Sequence, residues 1–116
     1  MRYAIVGPIT SVDKIKQASV KYGQSMFPVV TATSHYLGYI LLNDLEQHPD
    51  AQTAGEVLRQ VRDAGQPRLA YAHGGDSYDD ALVIMRAERL PFIPVVDYGG
   101  LFIGTADSSS GQRLRN

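Results

Sequence analysis

Pro28-Val29-Val30 recurs as Pro94-Val95-Val96, 66 residues later, and the neighbouring residues align at that same offset without a gap from Arg2/Arg68 to Gly38/Gly104. A repeat of this kind marks a unit that buries its apolar face against a second copy of itself. The chain has 116 residues, enough for one compact domain, whereas half that length is marginal alone. The repeat therefore predicts two half-domains that share a core.

Periodicity gives the content of each half. Tyr3-Ala4-Ile5-Val6 and Leu69-Ala70-Tyr71-Ala72 are short apolar runs closed by Gly7-Pro8 and Gly74-Gly75, the pattern of buried strands. Ser11 and Ser77 then stand at matching positions ahead of helical patterns, where a serine caps exposed N–H groups and early acids favour the helix dipole. Ile15, Ala18, Ser19 and Tyr22 give the first helix its inward face, with Gly23 as its stop. Ala81, Leu82, Ile84, Met85 and Leu90 do the same for the second. Hairpins follow: Phe27–Val30, a turn over Thr31–Ser34 and Tyr36–Leu41; then Ile93–Val96, a turn over Asp97–Gly100 and Leu101–Ala106. Between the halves a helix is expected over Ala54–Ala64, and poor helix formers at Ser108–Gly111 predict a short or frayed last helix.

Composition removes several functional classes. A net charge of −1, with no basic run, gives no footprint for nucleic acid. Without cysteine there is no disulfide framework, thiolate metal site or thiol nucleophile. No apolar run approaches the ~20 residues a membrane helix needs, and no signal segment is visible, so the expected setting is cytoplasmic, alone or as a domain of a longer protein. Three histidines, at 35, 48 and 73, lack ligand spacing, so no metal is expected. No nucleophile, base and orienting group come together in the pattern, and the expectation is a protein that is not an enzyme.

The order of strand, capped helix, Phe27-Pro28-Val29-Val30, polar turn, Gly38-Tyr39-Ile40 and Asp44-Leu45 resembles a cystathionine-beta-synthase (CBS) motif. Asp76-Ser77 through Ile93-Pro94-Val95-Val96-Asp97 to Gly104 is similar to the same motif, and Thr53-Ala54-Gly55-Glu56-Val57-Leu58 resembles the segment that separates tandem copies. The resemblance implies a tandem CBS pair, or Bateman module, of α+β class. Two β-α-β-β-α motifs related by a pseudo-two-fold axis would pack sheet to sheet, motif 1 over residues 1–50, a linker over 51–66 and motif 2 over 67–116. It also implies regulation rather than catalysis, a homodimer, and clefts for AMP, ADP, ATP or S-adenosylmethionine, none of them a required cofactor, whose occupancy is passed to an attached effector domain or partner.

The site residues follow from that resemblance. Asp44 matches the family's ribose-binding acid; Leu41 stands where a Ser or Thr is usual. Ile9, Thr10, Ser11, Met26, Phe27 and Pro28 would line the first adenine slot, and Gly75, Asp76, Phe92, Ile93 and Pro94 the second. In the second copy Asp107 takes the Ser/Thr position and Ser110 that of the acid, so Asp107 would meet the ribose with roles exchanged. Lys14 and the N–H groups of Gly74 and Gly75 are the phosphate candidates. Structural duties compete at each position: Thr10 and Ser11 as caps, Met26 and Phe27 as core, Asp76 as a first-turn acid. The alternative to a ligand sensor is a CBS pair without ligand that serves dimerisation or protein interaction.

Overall fold

The computed structural model describes residues 3–108. The fold is mixed α+β, running α1 (Val12–Tyr22), β1 (Met26–Val30), β2 (Tyr36–Leu41), α2 (Leu42–Gln47), α3 (Ala54–Asp63), β3 (Ala72–His73), α4 (Tyr78–Glu88), β4 (Ile93–Val96) and β5 (Phe102–Ala106). Chain contacts divide it into two compact units between Leu69 and Ala70. In the first, β1 and β2 form an antiparallel hairpin; in the second, β3 pairs parallel with β4, which pairs antiparallel with β5.

The offset of 66 holds at the level of single hydrogen bonds. Phe27 faces Ile40 and Val29 faces Gly38 in one hairpin, as Ile93 faces Ala106 and Val95 faces Gly104 in the other, and both ladders bulge after that second pair. The turns match too: Thr31 Oγ1 accepts from His35 N–H at 3.0 Å, and Asp97 Oδ1 accepts from Leu101 N–H at 2.9 Å. Ser11 and Ser77 cap α1 and α4 by accepting from Lys14 and Asp80 N–H. A side-chain oxygen that stands in for a missing backbone acceptor is what makes Ser, Thr and Asp recur at these positions.

The first strand of each half is shorter than its apolar run. Among the described residues Val6 forms a parallel bridge with Val29, and the strand in the second half spans Ala72–His73 in place of Leu69–Ala72. In the first unit the reason is Gln24. Its side-chain amide accepts from Ala4 N–H and donates to Ala4 O, both at 2.8 Å, so it does for Ala4 what a neighbouring strand would do. Tyr22 also departs from expectation: it is 50% exposed, and Val12, Ile15 and Ala18 carry the inward face of α1.

The first core gathers Ile15, Phe27, Val29, Ile40, Val57 and Val61, all fully buried. Two of these, Val57 and Val61, come from α3, so the segment expected as a linker supplies a core helix. Its start is stitched to the loop before α1, with Ala54 N–H on Thr10 O and Gly55 N–H on Pro8 O. The second core holds Ala72, Ala81, Met85 and Ile93.

Both long helices of the repeat end in the left-handed conformation, at Gly23 (φ 61°) and at its repeat mate Arg89 (φ 56°). A side chain pays for this geometry with roughly 1–2 kcal/mol of steric strain, which glycine avoids, though glycine is freer in the unfolded chain. Arg89→Gly is therefore expected to stabilise the protein by about 0.5–1 kcal/mol, read as a higher denaturant midpoint with an unchanged slope.

Candidate functional site

Strand β2 runs directly into α2, so Leu41 is at once the last strand residue and the helix N-cap (φ −101°, ψ 150°). Asp44 is then the third helical residue, and its Oδ2 accepts from Leu41 N–H at 2.9 Å. A Ser or Thr at position 41 would return that bond and complete a capping box; leucine has no acceptor to offer. Positions 41 and 44 are thus linked by a cap at the start of α2.

The Asp44 side chain is 4% exposed and is paired by a second group that its pattern does not announce. Arg68, in the segment after α3, places Nε 3.2 Å from Oδ2 and Nη2 3.0 Å from Oδ1, a two-pronged contact. The planar guanidinium matches a carboxylate in this way, and charge-assisted bonds of this kind are about twice as strong as neutral ones. The Arg68 backbone is fixed as well: its carbonyl accepts from Tyr39 N–H of β2 at 2.8 Å. The pair opens onto a cavity of about 350 Å³ whose wall includes Asn43, Gln47, His48 and Gln66. Apart from the apolar Ala64, every lining side chain is a donor or acceptor, so the cleft suits a polar ligand.

The other first-slot residues are dispersed. Met26, Phe27 and Pro28 are fully buried in β1, and Ile9 is 88% exposed. Thr10 Oγ1 accepts from Gly7 N–H, and Ser11 is the cap of α1. Ser11 lines a separate cavity of about 290 Å³ with Val12, Asp13, Lys16, Pro49, Ala51 and Gln52, in which Asp44 has no part.

In the second unit Asp76 repeats the work of Thr10, its Oδ2 accepting from His73 N–H at 2.9 Å. Gly74 N–H is spent on Val96 O, so the expected pair of glycine N–H groups for a phosphate is reduced to Gly75. The Gly75 backbone lies under Tyr98, whose hydroxyl would sit 3.1 Å from a β-carbon placed there. Tyr98 in turn stacks on His73 at 4.9 Å between ring centroids. Phe92, Ile93 and Pro94 are fully buried, and Asp107 is buried just after β5. Ser110 lies outside the described residues. Among the described residues no group of three or more His, Cys, Asp or Glu is placed to hold a metal, and no helix is long and apolar enough to cross a membrane.

No family sequence model matches the chain, and no curated protein sequence does. Solved structures match it along nearly its whole length. CBSX2 in complex with AMP superposes with a TM-score of 0.76 at 20% identity, covering 97% of this chain and 86% of that one. The chain has the fold of a tandem CBS domain pair. The CBS domains of a transcriptional regulator from Streptococcus pneumoniae give a TM-score of 0.75 at 17% identity, covering 96% and 87%. The CBS pair of protein MJ0100, in complex with 5′-methylthioadenosine and S-adenosyl-L-methionine, gives 0.70 at 18% identity, covering 100% and 94%. A CBS pair accounts for the shared register of the two hairpins, which is the repeat seen in three dimensions.

Asp44 was legible in the sequence as a candidate, and its partner Arg68 was not. The ion pair joins residues 24 apart, one on a helix and one in an irregular segment, so no periodicity links them. The only available trace was that Arg68 is the repeat mate of Arg2.

Proposed function

We propose that this chain is a regulatory module that binds an adenine nucleoside derivative, AMP, ADP, ATP or S-adenosylmethionine, in the cleft at Asp44 and passes its occupancy to an attached domain or partner. The observation that carries this reading is a buried carboxylate at the mouth of a polar cavity, where vicinal ribose hydroxyls could both donate to it. The fold adds support, since solved CBS pairs include one with AMP and one with 5′-methylthioadenosine and S-adenosyl-L-methionine. Regulation then means a coupling free energy between ligand and partner, set by differential contacts in two states.

A second reading, an interaction module without a ligand, is favoured by one fact: both oxygens of Asp44 already have partners, in Leu41 N–H and Arg68. Thermal unfolding in the presence of each nucleotide separates the two. A ligand at a hundred times its dissociation constant stabilises by about 2.7 kcal/mol, a rise on the order of 10 °C for a chain of this size. The expected result is a rise with at least one of the four ligands, much reduced with the 2′-deoxy form of that ligand, which lacks the vicinal pair. An unchanged midpoint across all four supports the interaction module.

A further inference from the structure

We infer that Arg68 is a built-in competitor for the ligand of the Asp44 cleft, holding the carboxylate closed until a ribose displaces it. The inference rests on the reading of that cleft as a nucleoside site and concerns how the site is regulated.

Four observations carry it. The guanidinium covers both carboxylate oxygens, the same atoms that a pair of vicinal hydroxyls would need. Leu41 N–H holds a further position on Oδ2, so the carboxylate has little room for two more donors while Arg68 remains. The Arg68 side chain is 21% exposed against 4% for Asp44, so the arginine has water to move into and the aspartate does not. The backbone of Arg68 stays anchored through its carbonyl to Tyr39 N–H, so departure of the side chain does not require the segment to leave β2.

The energetic consequence is a penalty on affinity. When only a fraction of molecules has the carboxylate open, the apparent dissociation constant rises by the inverse of that fraction.

Adenosine is the primary probe, because it carries the vicinal hydroxyls and no phosphate; AMP is the second. Binding is measured by calorimetry to wild type, Arg68→Ala, Arg68→Gln and Arg68→Lys, each also with Asp44→Asn. The expected result is adenosine binding roughly tenfold or more tighter in Arg68→Ala and Arg68→Gln, an intermediate gain in Arg68→Lys, and no gain where Asp44 is Asn. Adenosine binding that is measurable in wild type and no tighter in these variants overturns the competitor and leaves the nucleoside site standing. Weaker AMP binding in Arg68→Ala with adenosine unchanged also overturns it, by making Arg68 a phosphate contact. Absence of binding by every variant removes the nucleoside site and the competitor with it. If the neutral variants do not fold, Arg68→Lys, which keeps a positive charge beside Asp44 but not the fork, decides: no gain there overturns the inference.

Discussion

Gly38→Ala is expected to destabilise the protein by about 3–4 kcal/mol, and Gly104→Ala, at the matching place in the repeat, by roughly 1–3 kcal/mol. Both glycines sit at positive φ, 136° and 154°, where a side chain is strained. Their surroundings differ. A β-carbon on Gly38 would lie 2.5 Å from Arg68 O and 3.2 Å from a Leu58 methyl, while no described atom comes within 4 Å of one on Gly104. Alanine at 38 must therefore push the 67–69 segment off β2 and break the Tyr39–Arg68 backbone bond as well as strain the chain. Denaturant titration of the two variants gives the comparison, and equal losses would show that strain alone sets the cost.

Gln24→Leu is expected to cost about 3 kcal/mol and to speed hydrogen exchange at Ala4 N–H. Gln24 is 6% exposed and makes three bonds, to both backbone groups of Ala4 and to Met26 O, each 2.8 Å long. Leucine fills a similar volume but leaves those groups without their partner, at roughly 1–3 kcal/mol for each one that water cannot reach. The substitution is natural at the repeat mate, where Leu90 is part of a buried helix end, its N–H donating to Met85 O. A loss below about 1 kcal/mol would mean that water replaces the amide at Ala4.

These two residues show where the sequence was legible. Register, bulge, turn and cap recur at one offset because each depends on a local rule: β-branched strands, an oxygen at Thr31 or Asp97, a serine at 11 or 77. Gly38 was visible as a motif residue, but its reason, the approach of Arg68 O, is a contact between distant parts of the chain. Gln24 reads as an ordinary polar residue after a helix stop, and its role as a surrogate strand depends on Ala4 arriving beside it. The Asp44 cleft divides in the same way. The acid was legible only through its match to the CBS motif, whereas its partner follows only from the path taken by residues 64–68.

The path of that segment has a further effect. Met26–Val30 is an apolar, β-prone stretch of the kind that adds to strands of other molecules and seeds aggregates. An exposed sheet edge invites such pairing. In this hairpin Val6 takes the outer side of β1, and the carbonyl of Arg68 takes an N–H on the outer side of β2. Pro28 contributes no N–H within the stretch, as a gatekeeper would. The same residue whose side chain closes on Asp44 thus uses its backbone to keep the first hairpin from recruiting a foreign strand.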